Sequence, residues 1–87
     1  MNVVRGPFHT QVVSDVVRDG LGIELVPEGG VAVAEVFRCD ADHTVKVTTF
    51  AEGIPSEALE LLIGRAKVEL DPFEDGTPLS EVWSHGA

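Results

Sequence analysis

The chain reads as an α+β domain, a three-stranded antiparallel meander with helices on one face in the order αβββα. Three observations predict this. Leu59, Leu62, Ile63, Ala66 and Leu70 repeat at helical spacing. Three short runs rich in β-branched residues precede them. Pro27-Glu28-Gly29-Gly30 and Asp40-Ala41-Asp42-His43 separate those runs with turn-forming residues. At 87 residues the chain holds one domain, small enough that its stability margin is thin.

Residues 1–6 read as a loose start. Residues 8–19 carry Val12, Val13, Val16 and Val17, an i, i+1, i+4, i+5 stripe, with Pro7 at its entry and Gly20 at its exit, and the favoured reading is a helix. The density of valines and the Asp19-Gly20 pair argue instead for a strand ending in a hairpin. In that hairpin Asp15 would oppose Glu24, a repulsive pairing. The first strand of the meander is expected at Gly22 to Val26, the second at Val31 to Cys39 and the third at Thr44 to Ala51. The second helix is expected over Ser56 to Leu70, capped by Ser56, with Glu57 and Glu60 near the positive end of its dipole and Arg65 and Lys67 towards the other end. Asp71-Pro72 stops it. Residues 1–72 then form the α+β domain, and 73–87 an acidic C-terminal tail interrupted by Gly76, Pro78 and Gly86, in which Phe73, Leu79, Val82 and Trp83 can dock.

With even-length hairpin loops, Leu25 pairs with Ala32, Ile23 with Ala34, Val36 with Val47 and Ala34 with Thr49. One sheet face then presents Ile23, Leu25, Ala32, Ala34, Val36, Val45 and Val47, and is assigned to the core. The other carries Val26, Val31, Val33, Phe37 and Phe50 among Glu24, Glu35, Thr44, Lys46 and Thr48, with Glu35 diagonally near Lys46. A solvent face normally alternates to polar residues, so this mixed face predicts either an association surface or a seat for the tail.

Fifteen acidic against six basic residues give a formal charge of −9. That field repels nucleic acid and anionic membranes and favours solubility or a basic protein partner. The single cysteine, Cys39, excludes an internal disulfide and fits a reducing, cytoplasmic setting. The first residues resemble neither a signal peptide nor a membrane span.

Cys39, Asp40, Asp42 and His43 lie within five residues, and their groups can ligate a metal or form a thiol–imidazole pair. The segment lacks paired zinc-ligand spacing and is also a natural hairpin tip, which is the preferred reading. His9 and His85 read as solvated surface residues. No phosphate-loop pattern occurs. No catalytic, metal-binding or cofactor-binding set is assigned. The expectation is a non-enzymatic interaction domain that self-associates as a homodimer through Val31, Val33, Phe37 and Phe50. One alternative is an inhibitor or immunity-type protein meeting a basic partner; another is a small metal-binding protein or enzyme using the Cys39–His43 turn.

Overall fold

The computed structural model describes residues 4–83, and His85 lies outside them. The class is α+β: a four-stranded antiparallel sheet in the order β1-β2-β3-β4, followed by one α-helix. The strands are β1 (Phe8–Asp15), β2 (Gly20–Pro27), β3 (Ala34–Cys39) and β4 (Thr44–Thr49), and α1 spans Ser56–Glu69. Among the described residues no helix is long and apolar enough to cross a membrane.

The first element is therefore a strand, which corrects the helical expectation for 8–19 and adds a fourth strand. Valines prefer the pleated surface, and the repulsion that argued against a hairpin does not arise. The loop of residues 16–19 sets Asp15 opposite Gly20 and Gln11 opposite Glu24. Gln11 Nε2 donates to Glu24 Oε1 at 2.7 Å.

The β3–β4 pairing is as expected, with Val36 opposite Val47 and Ala34 opposite Thr49. The β2–β3 pairing is shifted by two positions, so that Leu25 meets Ala34 and Ile23 meets Val36. The connection consumes more residues than the four-residue turn at 27–30 that the expected register implies, and Val33 N–H still donates to Leu25 O at 2.9 Å. A shift of two preserves the faces, because side chains alternate with period two.

Ile23, Leu25, Ala34 and Val36 lie buried beneath Ala58, Leu62 and Ala66 of α1 and Leu70 at its C-terminal cap. The two alanines let the helix approach the sheet closely. The buried row is rotated towards Ala58 relative to the expected stripe, leaving Leu59 and Ile63 partly buried. The helix cap is Pro55 rather than Ser56, whose hydroxyl lies 3.4 Å from Glu57 Oε1 inside the first turn.

The segment after α1 belongs to the core. Phe73 and Leu79 are buried in the same cluster, Trp83 packs against it, and Leu79–Glu81 forms a short 3-10 turn. Asp71 Oδ1 accepts from Leu79 N–H at 2.8 Å, tying the segment back to the helix end.

Candidate functional site

On the sheet face opposite α1, Glu35 and Phe37 are covered by Arg18, which sits in the β1–β2 loop. Its guanidinium donates to both carboxylate oxygens of Glu35, at 3.0 and 2.9 Å, and lies 3.9 Å from the centre of the Phe37 ring. Asp15 holds the other side, accepting from Arg18 Nε at 2.6 Å and from its backbone N–H at 3.0 Å. The expected Glu35–Lys46 pair is thus replaced by Glu35–Arg18.

The contacts move the ionisations in the direction of stronger pairing. The bonds it donates to Glu35 first, then to Asp15, hold Arg18 further in its charged form. The Arg18 backbone N–H first, then its side chain, holds Asp15 below the ordinary carboxylate value.

Phe37 fits beneath Arg18 because Gly20 and Gly22 have no side chains. A Cβ on Gly20 would come within 2.6 Å of Phe37 Cζ, and one on Gly22 within 2.8 Å of Glu35 Oε2. Two glycines two residues apart on one strand face were the signal that another group approaches there. Nothing local in the sequence pointed to Arg18, whose partners lie on another strand. A shallow cleft of about 240 Å³ lies beside this cluster, lined by Arg18, Phe37, Cys39, Lys46 and Thr48.

The β1–β2 and β3–β4 loops lie together at one end of the sheet, joined by Asp40 N–H donating to Asp19 O at 2.9 Å. Arg38 fastens this end to the helix terminus. Its Nη1 donates to Leu70 O at 3.0 Å and Pro72 O at 2.7 Å, and its Nη2 to Asp40 Oδ2 at 3.0 Å. A guanidinium on the last carbonyls of a helix satisfies acceptors that have no partner within it. Beside it opens a cleft of about 330 Å³, with Ser14, Asp15, Asp19, Arg38, Asp40 and Glu74 in its wall. Oxygens of Asp19, Asp40 and Glu74 come within 4.8 Å of one another. Asp40, however, is already committed to Arg38 and to the Glu74 N–H, at 2.9 Å.

The four groups of the Cys39–His43 turn are used locally. Cys39 Sγ lies 3.5 Å from Arg18 O, and Asp42 accepts from Thr44 Oγ1 at 2.6 Å. That hydroxyl first, then the Cys39 thiol, lowers the Asp42 pKa. His43 turns away to Asp75, at 2.9 Å, and its ring lies 4.5 Å from that of Phe73. Asp75 is held low chiefly by the Thr77 N–H, with His43 contributing less. The turn therefore anchors the C-terminal segment. Among the described residues neither cleft sets a nucleophile against an imidazole, as acyl or group transfer would need.

Of the four residues expected at an association surface, Val33 (7% exposed) joins the helix-side core and Phe37 (6%) lies under Arg18. Val31 (82%) and Phe50 (58%) stand in solvent. The face is therefore not a continuous apolar patch of all four.

No protein-family model matches the chain, and neither the curated proteins nor the solved structures provide a match, so the geometry alone supports the functional reading.

Proposed function

We propose that this protein is a non-enzymatic protein-interaction domain that forms a homodimer. The observation that carries this reading is the set of branched and aromatic side chains left in solvent, Val16, Val17, Val31, Phe50 and Val68, on a chain with so small a core. Exposed apolar groups that are buried on association favour the assembled state at about 25 cal/mol per Å². The reactive groups point the same way. Cys39, Asp40, Asp42 and His43 each hold a loop or the C-terminal segment, which leaves them a structural task.

Sedimentation equilibrium on the full chain, from low micromolar to about 100 μM, tests the proposal in the range where modest interfaces assemble. The expected result is a mass rising from 9.3 kDa towards twice that value. A mass that stays at 9.3 kDa throughout overturns it.

A further inference from the structure

We infer that the dimer forms through strand β1, two copies pairing antiparallel about a twofold axis at Val12 so that their four-stranded sheets become one. The inference rests on the reading of the protein as a self-associating domain and names the surface that does it.

β1 and β4 are the two edges of the sheet. In an antiparallel ladder, bonded and non-bonded pairs alternate. Glu28 N–H donates to Pro7 O at 2.9 Å, which makes the pair just before Phe8–Pro27 a bonded one. Counting on from there, His9, Gln11, Val13 and Asp15 bond to β2. Phe8, Thr10, Val12 and Ser14 turn their N–H and C=O groups outwards. Among the described residues, no hydrogen bond reaches those outward groups.

The two edges differ in how they are protected. β4 carries exposed Lys46 at its middle, and a lysine there is a common guard against strand addition. β1, Phe8-His9-Thr10-Gln11-Val12-Val13-Ser14-Asp15, is longer and has no Lys, Arg or Glu at all. Its centre is Val12 and Val13, both exposed, and beyond its end Val16 and Val17 stand 92% and 96% exposed. A strand open to solvent with such a centre is suited to pair with another strand.

The outward groups also select the register. Only pairings of even-numbered with even-numbered residues align donors with acceptors. With Val12 on the axis, Val12 meets its own copy and Thr10 meets Ser14, while Phe8 reaches Val16 in the loop, whose carbonyl already accepts from Asp19 N–H. His9 then lies opposite Asp15 of the other copy at both ends of the interface, an imidazole against a carboxylate. Moving the axis by one residue, to Gln11, sets His9 against Val13 and leaves Asp15 facing Pro7. The Val12 axis thus sets valine on valine and places His9 beside Asp15, whose oxygens also hold Arg18, whereas the Gln11 axis sets polar against apolar groups. On the helix side, Leu61 and Val68 are exposed on the flank of α1 opposite Lys67, which lies 5.1 Å from the Trp83 ring. α1 packs over β1 as well as β2 and β3, so these two side chains are carried by a helix that neighbours the edge strand.

Cross-linking tests the register directly. A bonded antiparallel pair separates its Cα atoms by about 5.5 Å, within disulfide range. The full chain carrying Cys39→Ser and Val12→Cys is expected to give a covalent dimer on mild oxidation, whereas Cys39→Ser with Phe50→Cys is expected to stay largely monomeric. In sedimentation, Val12→Lys sets two ammonium groups together at the axis and is expected to weaken dimerisation at least tenfold, while Phe50→Asp leaves it intact. Ser14→Pro removes only an outward N–H and is expected to weaken it as well. Circular dichroism and a cooperative thermal transition establish that each variant is folded. A dimer that survives Val12→Lys and Ser14→Pro but is lost with Phe50→Asp overturns the β1 assignment and leaves self-association standing. A wild-type chain monomeric at about 100 μM overturns both.

Discussion

Replacing Arg18 by alanine uncovers Glu35 and Phe37, and the structure sets the size of the effect. The Glu35 side chain is 6% exposed and that of Arg18 48%. Breaking a fully buried ion pair by removing one partner costs about 3–5 kcal/mol, because the remaining charge is stranded. Here the arginine side of the pair faces water, so solvent reaches Glu35 once the guanidinium is gone, and about half of that cost, ~2 kcal/mol, is retained. The lost contact with the Phe37 ring adds roughly 0.5 kcal/mol. The expected loss is about 2–3 kcal/mol, a large part of the ~4–13 kcal/mol typical of a chain this long. It corresponds to a fall in Tm of about 10–20 °C. Urea unfolding followed by circular dichroism measures it at a fixed protein concentration, which keeps any contribution from association constant. Glu35→Gln in the Arg18→Ala background then removes the stranded charge, and the double variant is expected to recover part of the loss. A cost below about 0.5 kcal/mol for Arg18→Ala, or strict additivity of the two changes, would refute the assignment of Arg18 as the partner of Glu35.

Gly20→Ala is expected to cost about 2 kcal/mol or more in thermal unfolding, because its Cβ presses on Phe37 and on the Arg38 carbonyl, and backbone cannot yield. Gly22→Ala meets the movable end of Glu35 and is expected to be milder; the reverse order would contradict the packing described. Phe73→Ala empties a fully enclosed site and is expected to lower stability by about 3–5 kcal/mol, and a chain ending at Pro72 to lose cooperative unfolding. An unchanged transition in the shortened chain would return residues beyond 72 to the status of a tail. Asp15, Asp42 and Asp75 are all held below the usual carboxylate range by the hydrogen bonds they accept, so the unfolded chain binds protons first on acidification. The stability they supply is present above about pH 4 and is lost as pH falls through the lowered folded values, so urea midpoints are expected to drop between about pH 4 and 2. A midpoint that is flat or rises over that interval would contradict the pairing of these carboxylates.

What the sequence disclosed and what it concealed follow from how local each cause is. The helix was legible because its apolar residues recur at one spacing and Asp71-Pro72 stops it. The β3–β4 pairing was legible because its tip, Asp40-Ala41-Asp42-His43, is made of residues that favour tight turns. β1 was misread because Val12, Val13, Val16 and Val17 fit a helical stripe, and spacing alone cannot separate that from a strand whose last two valines fall in a loop. The β2–β3 register slipped by two because nothing in Glu28 to Val33 fixes how many residues the loop consumes; Ala34 and Val36 kept the core face, while Val33 moved to the helix side. The mixed composition of the second face was visible. Its resolution was not, since it depends on Arg18 reaching across from a loop and on two glycines making room for Phe37. The buried role of Phe73 and Leu79 was hidden by the prolines and glycines around them, which exclude regular structure without excluding packing.

The charge of the chain separates the two ways in which it could engage another protein. At −9 per copy, two copies repel each other, and in the inferred dimer strand pairing and valine burial have to outweigh that repulsion. The His9–Asp15 contacts of the inferred register are short-range and lie at the ends, so they offset little of the whole-molecule field. Salt screens charges beyond about 10 Å at 0.1 M, so it removes mainly the repulsion. Homodimerisation is therefore expected to tighten as NaCl rises from about 0.05 to 0.5 M. Docking of the carboxylate-lined cleft onto a basic partner depends on attraction at the same range and would weaken over the same interval. A self-association constant that falls with salt would mean that the contact is held by opposite charges. In that case acidic loop residues of one chain would meet basic side chains of the other, and the edge of β1 would not be the surface that recognises another chain.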